Sequence, residues 1–229
     1  MSTKNILLLT KVNPKKKINF MDTFSFETLN NVAIINNIIS LMLGITLSAA
    51  CGFRVFVPFL ILSAVGVFSG FSLPSGFEWL ETNQALLMFA IASGLEVLAY
   101  YIPWLDNLLD TLATPLAATA GTVITGASIS EDMNPLIQWT LAVIAGGGSA
   151  GLIKGFTTIF RATSTATTGG LTNPILSTVE LIFAAFLSIA ALTLPVIAGF
   201  CVIILLLFVS WKLIQFFMGK KQVNPNQLS

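Results

Sequence analysis

Residues 174–217 read PILSTVELIFAAFLSIAALTLPVIAGFCVIILLLFVSWKLIQFF, and Glu180 and Lys212 are the only charged side chains in the stretch. A spanning helix needs roughly 20 mostly apolar residues to cross about 30 Å of hydrocarbon, so the run holds two spans. Pro195 divides it. A residue with fixed φ and no backbone N–H favours a tight hairpin there over one over-long helix.

Four further stretches, 33–54, 83–103, 111–128 and 135–154, meet the same requirement beside 174–194 and 196–217. The expected fold is therefore all-α: a polytopic transmembrane bundle of six spans. Gly52, Arg54, Pro58 and Gly66 break the long apolar block after the first span and leave 55–70 re-entrant, interfacial or packed among other helices. A seven-span reading, with 55–70 as a full crossing, ranks second. Composition agrees, since 55% of the 229 residues are hydrophobic and 9% charged, with a mean hydropathy of +0.88. A net charge of +1 gives no electrostatic case for nucleic acid. The absence of histidine removes imidazole metal sites and His-dependent triads. Cys51 and Cys201 lie in apolar runs and form no metal or redox motif. No metal, no cofactor and no enzymatic activity are expected.

Short cytoplasmic loops are enriched in Lys and Arg. Lys4, Lys11, Lys15, Lys16 and Lys17 precede the first span, Lys154 and Arg161 follow the fourth, and Lys212, Lys220 and Lys221 close the last. Six spans put all three groups on one side, with Glu78, Glu81, Glu131 and Asp132 opposite. Residues 1–32 read as a basic cytosolic tail, 33–218 as the transmembrane domain and 219–229 as a second cytosolic tail. The expected location is a prokaryotic plasma membrane with both termini cytoplasmic. The lipid bilayer, an unidentified small solute or ion, and a second copy of the chain are the partners considered.

Three spans on each side of residue 130 form halves 33–128 and 135–218 of opposite orientation, the pattern of inverted-repeat transporters. A shift of 100 residues pairs Ala50 with Ala150, Arg54 with Lys154, Gly70 with Gly170 and Pro74 with Pro174, while Glu96 and Glu180 fall out of register. Gly44, Ser48 and Gly52, and likewise Gly147, Gly151 and Gly155, recur every fourth residue, so these helices can approach closely.

Charged side chains inside spans cost several kcal/mol by insertion scales unless paired or hydrated. Arg54, Glu96, Asp106, Asp110, Lys154, Arg161 and Glu180 are therefore the candidate pathway or ion-pair residues. Glu96, Tyr100, Pro103, Asn107 and Asp110 share a helical face up to the break expected at Pro103. Two readings stand. The carboxylates either neutralise Arg54 and Lys154 as structural pairs or line a water-filled cavity. Residues 155–174 read as a Thr-rich loop ending with Asn173 as N-cap and Pro174 as first helical residue. There Thr168, Gly169, Gly170, Thr172 and Asn173 form either an anion or substrate site at a helix N-terminus or a turn that satisfies its own backbone.

As an ordered set, Gly52-Phe53-Arg54, then Glu96 with Pro103, Asp106 and Asp110, then Thr168-Gly169-Gly170-Leu171-Thr172-Asn173-Pro174 and Glu180, resemble a bacterial family of multi-pass membrane proteins classed as a domain of unknown function. The resemblance covers about residues 38–215 and implies membership and membrane location without a reaction. Where members often carry an acidic-basic pair this chain has Tyr100 and Tyr101, and where they carry a His and an Arg-Pro it has Ala113, Ala117 and Ala118. The expected function is a small-solute or ion transporter or channel; the alternative is a scaffold or assembly factor whose charges are structural pairs.

Overall fold

The computed structural model describes residues 20–70, 72–99, 102–129, 133–169 and 171–219, with side chains from 34 onward except 103–111, 217 and 219. Among these residues every regular element is helical: α1 Phe20–Phe53, α2 Val57–Phe68, α3 Asn83–Ala99, α4 Pro103–Ser128, α5 Pro135–Leu141, α6 Gly148–Thr168, α7 Asn173–Thr193 and α8 Pro195–Gly219. A short 3-10 turn, Ser75–Leu80, precedes α3, and a π-helical turn, Ala142–Gly147, joins α5 to α6 without a break. Of the described residues, 20–36 and 37–219 belong to two different units. In the larger unit and at its edge, four helices are long and apolar enough to cross a membrane, Ile34–Phe53, Pro135–Thr168, Asn173–Thr193 and Pro195–Phe216; Val57–Phe68 and Asn83–Ala99 are apolar but shorter. Their outer faces carry exposed Leu95, Ile182, Phe186, Ile204 and Leu207, as lipid-facing surfaces do.

Contacts fix the sense of each helix within 37–229. Phe53 stacks on Phe183 at 5.6 Å between ring centroids, while Ile45 and Ala49 share a core with Leu187, so α1 and α7 are antiparallel. Gly199 abuts Met42, and Val202 and Val209 join the same core, so α8 runs with α1. Phe59 stacks on Phe89 at 5.0 Å and Gly66 faces Glu81, so α2 and α3 are antiparallel. Arg54 reaches Ser177 while Val65 and Ser69 sit beside Ile189 and Thr193, which carries α2 along α7 and back past α1. Gly44 faces Ser128 while Ser48 Oγ donates to the Gly121 carbonyl at 2.7 Å, setting α4 against α1. Gly126 faces Trp139 and Gly121 faces Ala150, setting α5–α6 against α4.

Seven helical legs thus alternate, with α1 and α2 forming a hairpin whose tip is 54–56. Among the described residues the helices of spanning length number four, against the six expected. Six alternating spans would leave the first and last helices antiparallel, whereas α1 and α8 run in the same sense, so residues 37 and 219 lie at opposite ends of the bundle. Of the readings given for 55–70, packing among other helices is the one the structure has: the segment is a helical return leg with Pro58 in its first turn. Pro195 opens α8 after α7 has ended at Thr193, as the hairpin reading required.

A second correction concerns 155–173. The Thr-rich stretch is helix to Thr168, because its hydroxyls turn back onto carbonyls of the preceding turn: Thr157 onto Lys154, Thr163 onto Ile159 and Thr168 onto Ser164. Lys154 and Arg161 are consequently helix residues inside the bundle rather than loop cations. Gly169, at φ +65°, closes α6 in the left-handed conformation that favours glycine. α3 ends at Ala99 and α4 begins at Pro103, so the stripe from Glu96 to Asp110 belongs to two helices.

The small-residue faces differ in use. A Cβ on Gly52 would lie 2.6 Å from Ile153 Cβ and 2.7 Å from the Ala150 carbonyl, and one on Gly121 2.7 Å from Ala150 Cβ. Gly44 and Gly147 are similarly close to α4, but a Cβ on Gly155 meets nothing within 4 Å, so that residue does not continue the packing face. Gly52→Ala and Gly121→Ala should each lower stability by about 1–3 kcal/mol through overpacking. Gly155→Ala should be neutral or raise it by up to about 1 kcal/mol. Unfolding of the purified protein in detergent measures all three.

Candidate functional site

The turn from α1 to α2 leaves backbone groups without helical partners deep in an apolar bundle, where each must be satisfied internally. The Arg54 N–H still bonds the Ala50 carbonyl at 3.1 Å. The next two amides go to a side chain from another helix: Val55 N–H donates to Glu96 Oε1 at 2.8 Å and Phe56 N–H to Glu96 Oε2 at 3.1 Å. Glu96 therefore caps the start of α2 with both oxygens, where the helix dipole also favours a carboxylate. α3 can deliver it because Ala85, Phe89, Ser93 and Glu96 occupy one buried face at helical spacing.

Arg54, at the hairpin tip, is 1% exposed and points to α7. Its Nη2 donates to the Ser177 carbonyl at 3.0 Å and to the Ser177 hydroxyl, and its Nε lies 3.9 Å from Glu180 Oε2. Glu180 is held chiefly by Arg161 of α6, whose Nε donates to Oε1 at 3.0 Å and Nη2 to Oε2 at 2.5 Å. This bidentate fork is the strong form of a charge-assisted bond. Lys154, 1% exposed, lies near enough for its charge to act on Glu96.

The structure thus brings Arg54, Glu96, Lys154, Arg161 and Glu180 together around one helix break. The side chains of Asp106 and Asp110, on the first turns of α4, lie outside the described residues, as does Gly170. The remaining turn residues fold onto themselves: Thr172 Oγ1 meets the hydroxyls of Ser164 and Thr168, and the Asn173 side chain reaches Thr165 at 3.1 Å. Thr172 rather than Asn173 stands at the N-cap of α7, and Pro174 begins the helix as expected. Ser177 went unnoticed in the sequence. The signal was its place three residues before Glu180, repeated by Ser93 before Glu96.

What this arrangement can do is set by its partners. Glu180 faces permanent guanidinium charge, whereas the hydrogen bonds to Glu96 come from neutral amides. Removing one partner of a buried pair typically costs about 3–5 kcal/mol because the other is left uncompensated, while replacing both with apolar groups costs far less. Arg161→Met or Glu180→Leu alone should therefore destabilise the bundle by about that amount. The double variant should lose clearly less than the sum of the two, in a double-mutant cycle of unfolding in detergent.

No curated protein and no solved structure matches the chain. The family model for a domain of unknown function, DUF4126, matches residues 41–215, from the buried half of α1 to the last turns of α8. The match takes in the hairpin tip, Glu96, Glu180, Arg54, Lys154 and Arg161, and agrees with the expected membership of a family classed as a domain of unknown function. The chain belongs to the DUF4126 family.

Proposed function

We propose that the protein is a membrane transporter or channel for a small solute or ion, with Arg54, Glu96, Lys154, Arg161 and Glu180 gating its polar path and Asp106 and Asp110 on α4 extending it. The observation that carries this reading is a chain reversal buried in the bundle with five charged side chains gathered around it, each no more than 8% exposed. Charged side chains inside membrane helices mark substrate or ion pathways by default. Stability alone gives no reason to keep such a network, since apolar packing of equal volume is commonly as stable. The Arg161–Glu180 fork then acts as a closed gate, opened when its charges are hydrated or exchanged for those of a solute.

The order of the helices supports an inverted duplication beginning at the hairpin tip. α2, α3 and α4 run opposite in sense to α6, α7 and α8; Gly70, two residues past α2, and Gly169, the C-cap of α6, share a φ of +65°, one residue off the 100-residue register. Arg54 engages Ser177 and Glu180 as Lys154 acts on Glu96, three residues after Ser93. The halves diverge at their first elements, since the chain reverses at Arg54 but runs straight through Lys154. We place the bundle in a prokaryotic plasma membrane.

A second reading, a non-transporting scaffold, is favoured by one observation. The cavity between α2 and α7, about 390 Å³, is lined by Val65, Ser69, Ile189, Leu192 and Thr193 and does not reach the charges. Purified protein in liposomes, tested for proton, cation and anion flux at two pH values, separates the two. We expect flux for one class, cut at least tenfold in a folded Glu180→Gln variant. A panel without flux in any class, from protein that reconstitutes intact, leaves the scaffold.

A further inference from the structure

Among the described residues, the buried side-chain hydroxyls without a hydrogen-bond partner are those of Ser93 and Thr158. Other hydroxyls in the core are satisfied: Thr46 by Met42, Ser63 by Leu80, Ser128 by Ile124 and Ser188 by Ala184. The two exceptions stand beside the charge network. Ser93 is one helical turn before Glu96 on the buried face of α3, and Thr158 lies on α6 four residues after Lys154 and three before Arg161. An orphaned buried hydroxyl next to charge is the mark of a bound water or ion.

The same chain shows what such a place holds when filled. On α7 the pair Ser177 and Glu180 takes the Arg54 guanidinium through the Ser177 hydroxyl and carbonyl and, at 3.9 Å, the carboxylate. On α3 the equivalent pair, Ser93 and Glu96, has its hydroxyl unfilled and is 4% and 8% exposed. The other charged or titratable groups facing Glu96 are Cys51 on α1, Arg54 at the tip and Lys154 on α6. α2 has no titratable side chain, and neither do residues 112–128 of α4. A metal ion needs several oxygen ligands, whereas here a single hydroxyl stands beside a carboxylate whose two oxygens already take the Val55 and Phe56 amides; a proton needs only one oxygen.

We propose that Ser93 and Glu96 form a proton-binding site, in which a water held by the Ser93 hydroxyl passes a proton to Glu96; resting on the transport reading, this makes the proton the coupling ion. The step balances as hydronium giving its proton to a carboxylate oxygen and leaving neutral water at Ser93. The protonated oxygen is a weaker acceptor, so the cap on Val55 and Phe56 loosens and the hairpin tip is released. Glu180 stays in its two-bond fork with Arg161.

Infrared difference spectroscopy of the intact chain in lipid, between high and low pH, reads the protonation without requiring transport. A carboxylic-acid C=O band should form in the native protein and in Glu180→Gln, be absent in Glu96→Gln, and shift in Ser93→Ala, where its water partner is lost. If Glu96→Gln does not fold, Ser93→Ala and Glu180→Gln carry the test, since neither touches the cap. A band that survives Glu96→Gln, vanishes with Glu180→Gln or ignores Ser93→Ala overturns the proposal. The expected band in protein that shows no flux upholds the site and removes only the transport reading.

Discussion

Two backbone amides, those of Val55 and Phe56, set the terms for the rest of the structure. A chain that reverses inside an oily bundle exposes amide groups that water cannot reach, and each unsatisfied group costs several kcal/mol. Glu96 answers both, so α3 must run beside α2 with its Ala85–Phe89–Ser93–Glu96 face turned inward. That requirement brings Phe89 onto Phe59 and Trp79 against both rings, and so positions the 3-10 turn before α3. One carboxylate thereby couples the hairpin tip to the packing of the 57–99 region.

The opposite side of the tip is held by different chemistry. Arg54 cannot shed its charge and is fixed by the carbonyl and hydroxyl of Ser177, with Glu180 completing the electrostatics and Arg161 holding Glu180. Small residues make this possible. Gly52 lets α1 lie on α6 at Ile153, one residue before Lys154, and Gly121 lets α4 approach the π-helical turn and Ala150. Side chains at those glycines would separate the helices that carry the cations.

Much of this was legible in composition and spacing. Four of the six apolar runs are helices of spanning length, Pro195 marked the α7–α8 hairpin, and seven charges within apolar sequence marked the candidate site, of which the five described meet at one place. Sense and register were not legible, because an apolar run of 12 residues such as Val57–Phe68 reads alike as an interfacial, re-entrant or returning segment. Its direction depends on a carboxylate some 40 residues away, which no local pattern encodes. The Thr-rich end of α6 misled for another reason: threonine's low helix propensity reflects competition for backbone hydrogen bonds, and here the hydroxyls bond carbonyls of their own helix.

The two carboxylates are alike in sequence, each three residues after a serine within an apolar helix, yet their surroundings fit them to different tasks. A carboxylate forked by a guanidinium gains its strongest bonds only while ionised, so Glu180 suits a fixed counter-charge. One held by neutral amides loses less on protonation, so Glu96 can change charge without stranding a partner as strongly. A device that must both persist in an oily interior and respond to its surroundings needs one group of each kind. The asymmetry at the tip, with Arg54 committed to α7 and the α2 amides committed to α3, divides the two roles between the halves of the bundle.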